Sequence, residues 1–108
     1  MRRYEIWTAA GGKGFAGKPR PVLILQDHRI AHTASITTCG FTSVVFEAEF
    51  RPLIIATDTN GLKVNSRLIV DKIMTFDRRC LDQRLGQLEN EQAAGVDRAV
   101  LLFLGFDA

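Results

Sequence analysis

GKGFAGKPRPVLILQ, residues 12–26, runs from a glycine-rich loop directly into an apolar strand. Gly12, Gly14 and Gly17 fit GxGxxG, and Gly12 through Lys18 fit GxxxxGK. Both patterns bind phosphate by presenting backbone N–H groups from a loop into a helix N-terminus. Here Pro19-Arg20-Pro21 follows instead. Pro19 stands where a Mg²⁺-binding Ser or Thr belongs, and each proline holds the residue before it in extended φ/ψ. Pro21–Gln26 is then a nearly continuous apolar run, a buried strand that tolerates proline at its first position. The sequence argues against a nucleotide-binding βαβ unit. The loop reads either as a hairpin connection or as a flap carrying Lys13 and Lys18 over a bound anion.

The same pattern extends outward. Tyr4–Ala9 is aromatic and β-branched and predicts a strand. Ser35–Thr42 predicts a third, with Gly40 marking a bulge or a close backbone approach. Leu53–Ala56 is a short fourth, Thr57–Gly61 ends in the turn pair Asn-Gly, and Arg67–Ile73 is a fifth. Asp77 can cap a short turn through Leu81, and Arg84–Leu88 is a last strand. Residues 89–106 predict the one helix. Its apolar positions 93, 96, 100, 103 and 104 share a face, and Glu89 and Glu91 suit the positive end of the helix dipole. Short strands, close turns and a terminal helix predict a mainly β protein, a small, partly open antiparallel barrel with a C-terminal α-helix packed on it.

Composition agrees. The chain has 108 residues, 46% hydrophobic and 24% charged, with nine Gly, three Pro and two Cys. That suits one domain over residues 1–108 and excludes a disordered tail, a collagen and a disulfide scaffold. The longest apolar run, Ala99–Leu104, is far below the ~20 residues of a membrane span. Met1-Arg2-Arg3 leads into alternating rather than continuous apolar residues, so a soluble, cytoplasmic protein is expected. The formal charge is +2. Residues 1–51 carry seven Lys/Arg against four Asp/Glu, while residues 52–108 carry seven against eight. A basic front half can attract phosphates.

Metal and nucleophile motifs are missing from the sequence. Cys39 and Cys80 form no CxxC and have no His at zinc-ligand spacing, so they read as small hydrophobes. Asp58, Asp71, Asp77 and Asp82 lack metal-loop spacing. His28 and His32 form no HExxH. His28 closely follows the second strand and is a candidate acid–base group.

The ordered motifs go further. YEIW at 4–7, GKPRPVLILQ at 17–26, TTCGFTS at 37–43, LIVDKIMTFDRRCL at 68–81 and a GQL before the helix together resemble the MazF/PemK family of toxin endoribonucleases. The resemblance spans nearly the whole chain. It implies the CcdB/PemK-type fold, an SH3-like barrel working as a homodimer. It implies metal-independent cutting of single-stranded RNA without a cofactor, and silencing by a cognate antitoxin. The family's catalytic arginine falls on Arg20 and its catalytic Thr/Ser on Thr42, with Ser43 beside it. Lys13, Lys18 and Lys72 become candidate phosphate or base contacts, and Phe15 a candidate for stacking on a splayed base. The same fold also carries gyrase-poisoning toxins, and a catalytically silent homologue is the other alternative. The family usually has Arg-Gly-Asp before its first aromatic, where this chain has Arg-Tyr-Glu at residues 3–5.

Overall fold

Alternation along the strands sorts the apolar side chains onto two faces of one sheet. The computed structural model describes residues 1–10 and 18–106. Strands β1 (Glu5–Ala9), β2 (Arg20–Ile24), β3 (Ser35–Thr42), β4 (Leu53–Ile54), β5 (Ser66–Asp77) and β6 (Leu81–Gln87) pair antiparallel in the order β4-β5-β3-β2-β1-β6. A single 3₁₀ turn, Arg78–Cys80, precedes β6, and helix α1 spans Asn90–Leu104. The sheet curls into a half-barrel with β4 and β6 as its edges. The expected partly open barrel with a terminal helix is what forms.

Leu23 points to one face, and Val22 and Ile24 to the other. The first face joins Ile6, Leu23, Cys39, Leu68 and Val70 to Val96 and Ala99 of α1. The second gathers Ala9, Val22, Ile24, Ile36, Phe76 and Leu81. Each fully buried aliphatic side chain contributes roughly 1.5–3 kcal/mol of transfer free energy. Two strands run longer than their sequence patterns suggest. β5 continues through Met74, Thr75 and Phe76 because Phe76 closes the second cluster, and β6 begins at Leu81 because Leu81 does the same.

The cap expected at Asp77 forms, its carboxylate accepting the Arg79 N–H at 2.9 Å. Helix α1 starts with a capping box between Glu89 and Gln92 and stops at Gly105, φ 81°. Of the expected apolar face, Ala93, Val96 and Val100 pack on the core, but Phe103 and Leu104 stay exposed. The Asn-Gly turn lies within the long β4–β5 connection, not at a two-residue hairpin. Asn60 is buried there, accepting from Thr57 N–H and Leu62 N–H and donating to the Ile55 carbonyl. Gly61, φ 71°, brings its backbone against that of Leu85 too closely for a Cβ.

Tyr4 takes φ 73°, the left-handed region that glycine enters freely. In a residue with a bulky side chain this costs about 1–3 kcal/mol. The surroundings hold it. Tyr4 N–H donates to the Ile24 carbonyl, its hydroxyl donates to Asp97 of α1, and the Arg3 guanidinium lies 4.6 Å from its ring centre. Burial and the Asp97 bond push the phenol up to about 12.

Candidate active site

The two sequence-predicted catalytic residues both lie two residues beyond the end of the β2–β3 ladder. Val22 faces Gly40, Leu23 faces Cys39 and Ile24 faces Thr38. The ladder ends at Val22–Gly40, and alternation puts Arg20 and Thr42, each two residues further on, on the face opposite α1. Gly40, which precedes Phe41 and Thr42, presents no side chain on this face, and a Cβ there would reach Met74 Cε at 3.4 Å.

A bulge shapes the third wall. Cys39 pairs with Ile73 and Phe41 with Leu68, so residues 69–72 of β5 stand against Gly40 alone. Gly40 is therefore at a bulge, as the sequence suggested, and the extra residues lie in the partner strand. Val70 folds into the core, while Asp71 and Lys72 are left at the rim. Past the bulge the alternation resumes: Phe41 and Leu68 pack on the helix side, and Arg67 pairs with Thr42 on the other.

The hydroxyl oxygen of Thr42 accepts the Val44 N–H at 3.1 Å, which leaves its own proton to donate outward. Arg20 is exposed and, among the described residues, has no ion-pair or hydrogen-bond partner. Lys18, Ser43 and Lys72 are also exposed. Lys13 and Phe15, with the glycines of the two phosphate patterns, lie outside the described residues.

Residues 43–52 cross in front of β5 and are tied down by two arginines. Arg51 grips Asp71 through Nε at 2.8 Å and Nη2 at 2.9 Å, with only 15% and 19% of the two side chains exposed. That fork holds the Asp71 carboxyl below its ordinary value and stacks the Arg51 guanidinium 4.9 Å from the Phe46 ring centre. Arg67 donates from Nη1 to the Arg51 carbonyl at 2.9 Å. Asp71 was legible in the sequence only as a carboxylate without metal spacing, and nothing there pointed to Arg67. The signal for Arg67 is the alternation with Leu68, but its opposition to Thr42 depends on the bulge.

Two candidates are placed elsewhere. His28 lies in the β2–β3 loop, at the end of β2 away from Arg20, where its Nε2 sits 3.1 Å from Arg2 Nη2. Five residues of strand span more than ~13 Å, so His28 and Arg20 stand at opposite ends of β2. Cys39 is buried, and burial, reinforced by Asp71, pushes its thiol up to about 12. It is a protonated core residue. Cys80 is half-buried, and both cysteines are free. No described helix is long and apolar enough to cross a membrane.

A curled antiparallel sheet with a C-terminal helix is the architecture of a toxin family. Residues 2–104 match the PemK-like, MazF-like toxins of type II toxin-antitoxin systems, and the chain belongs to that family. A Mycolicibacterium smegmatis protein named "Probable endoribonuclease MazF" is 44% identical over 106 residues, covering 97% of each chain. Among solved structures, the Mycobacterium tuberculosis toxin MazF-mt6 is similar at 25% identity and a TM-score of 0.81, over 96% of this chain and 99% of that one. A mycobacterial endoribonuclease solved with its cognate antitoxin shares the fold at a TM-score of 0.83 and 19% identity, over 100% of this chain and 98% of that one.

Proposed function

We propose that this toxin is a cytoplasmic endoribonuclease that cuts single-stranded RNA at a short sequence, with Arg20 and Thr42 as its catalytic residues. The observation that carries the reading is an exposed guanidinium, without a partner among the described residues, on the same face and at the same end of β2 and β3 as a hydroxyl whose oxygen is already occupied by a backbone N–H. Such a pair offers donors to a phosphate and little else.

RNA brings its own nucleophile. The ribose 2′-oxygen attacks the adjacent phosphorus, the P–O5′ bond breaks, the 2′-OH loses its proton and the 5′-oxygen gains one. The products are a 2′,3′-cyclic phosphate and a 5′-OH end. The protein's part is to align the sugar with the phosphate and stabilise charge on the phosphorane-like transition state. Arg20 supplies a planar fork of donors to the phosphate oxygens. A guanidinium with a pKa above ~12 gives up a proton reluctantly, so charge stabilisation is its role. Thr42 donates its O–H to the developing charge. Lys18, Ser43 and Lys72, with Lys13 and Phe15, position the strand. These steps call for no metal ion and no cofactor.

The toxin works as a homodimer and is silenced by a cognate antitoxin. The support for the dimer is apolar: Leu101, Leu102, Phe103 and Leu104 are all exposed, and Phe103 meets Phe50 at 5.3 Å between ring centres. The antitoxin's inhibitory segment is a short acidic and apolar tail that occupies the basic groove.

The test is a long unstructured RNA incubated with the protein in excess EDTA, with the 5′ ends mapped. Discrete cuts with 5′-OH termini, absent with Arg20→Ala, are expected. Intact RNA beside a correctly folded wild type would overturn the reading and move attention to gyrase inhibition.

A further inference from the structure

Arg67, paired with Thr42, reaches the backbone of Arg51, and the two arginines are in different electrostatic states. Arg51 is spent on Asp71 through two short bonds. Arg67 is not. Its Nη1 donates to a neutral carbonyl, and its nearest carboxylate, Glu47, stands 4.0 Å from Nη2 on a side chain that is 83% exposed. An arginine carries five N–H donors, and a loose solvated contact satisfies few of them. Four-fifths of the Arg67 side chain is nevertheless covered, with 20% left open. The guanidinium is thus held in place by the fold without being neutralised by it.

Its position is equally specific. The register pairs Thr42 with Arg67 on the face opposite α1, and Arg20 lies on that same face of β2, two residues beyond the last β2–β3 pair. Neighbouring strands lie about 4.8 Å apart, so β2 and β5, on either side of β3, are about 10 Å from each other. A nucleic-acid strand crossing Thr42 at right angles to β3 meets a guanidinium on both sides.

We propose that Arg67 is a second phosphate ligand of the site, holding a phosphate next to the scissile one, with Glu47 as the anion it releases when the strand binds. The inference rests on the RNA-cutting reading for the identity of its ligand. Glu47 then acts as a weak internal competitor, and bound RNA lies across the sheet instead of along its strands.

The test uses an unstructured 2′-O-methyl RNA oligonucleotide, which lacks the nucleophile, so that binding is read without cleavage. Its Kd is measured between 50 and 200 mM salt for wild type, Arg67→Gln, Arg67→Lys and Glu47→Gln. A lost single-strand phosphate contact makes the slope of log K against log salt shallower by about 0.7. Arg67→Gln should show that change and bind about tenfold more weakly at low salt. Arg67→Lys should recover most of the slope. Glu47→Gln, on an exposed side chain, should bind about two- to threefold more tightly. With cleavable RNA, Arg67→Gln should raise KM more than it lowers kcat.

An unchanged slope in Arg67→Gln, or no tightening in Glu47→Gln, would overturn the role of Arg67 even if the wild type cuts RNA normally. A purely structural Arg67 would lower thermal stability and leave the slope alone. A wild type that binds the oligonucleotide with these variant effects but cuts no RNA would overturn the nuclease reading and leave the phosphate ligand standing. A wild type that binds nothing would overturn both.

Discussion

Strands β2 and β3 have two ends, and their charges are handled in opposite ways. At the loop end, charged groups are matched to one another. Arg29 forks onto Asp27, at 2.6 Å for its closest contact. Arg3 pairs with Asp97 at 3.0 Å, and Tyr4 donates to the same carboxylate. At the other end, Arg20, Lys18 and Lys72 have no ion-pair partner among the described residues. Charge satisfied within the chain supports the fold. Charge left unsatisfied beside a patterned hydroxyl is available to something from outside. Histidine alone is therefore a poor guide here, because both His28 and His32 lie at the loop end.

Removing charge at the two ends should have different consequences. Arg20→Ala should lower the cleavage rate by on the order of 10²–10³, the usual cost of one transition-state donor. Its melting temperature should match the wild type, because the side chain is exposed. A parallel loss of stability would make Arg20 structural and erase the contrast.

Asp71→Asn tests the boundary, because Asp71 is at the open end yet paired. Loss of its fork with Arg51 should cost about 1–2 kcal/mol in denaturant unfolding. Its folded pKa is depressed, so its contribution is present above the unfolded value of 3.8 and lost as pH falls further. Wild-type stability should decline below pH 3.8 by a component that Asp71→Asn lacks.

At the matched end, Tyr4→Phe should cost about 1 kcal/mol, one hydrogen bond, with cleavage unaffected. The folded pKa of Tyr4 is raised from 10.0 to about 12. Its contribution is whole below pH 10 and is lost as pH rises through 12. An alkaline melting series should show that loss in wild type and not in Tyr4→Phe. The smallest effect belongs to His28→Ala, whose cleavage rate should stay within about twofold of wild type across pH 5 to 8. A larger drop would return acid–base chemistry to the loop end.

Much of this was legible in the residues. PVLILQ and SITTCGFT were readable as strands, and the resemblance to the toxin family, not their pattern, singled out Arg20 and Thr42. Gly40 announced a bulge, and Asp77 its cap. Other features depend on contacts between distant segments. The bulge that brings Arg67 opposite Thr42 arises because Val70 finds space in the core, which no local pattern reports. Asn60 reads as an exposed turn residue and is in fact buried, with its amide holding the turn from inside. The departure at residues 3–5 was visible as Tyr4 in place of the family's glycine. Its consequence, a left-handed tyrosine anchored to α1 by Asp97, needed the helix packed in place. The exposed end of α1 shows that helical periodicity marks an apolar face without saying what covers it.

The contrast between the two strand ends can be read directly by NMR, by following backbone amides as the noncleavable oligonucleotide is titrated into the protein. The account predicts shifts at Arg20, Thr42, Ser43 and Lys72, with residues 27–34 unmoved. Shifts concentrated at residues 27–34, with Arg20 and Thr42 silent, would contradict it.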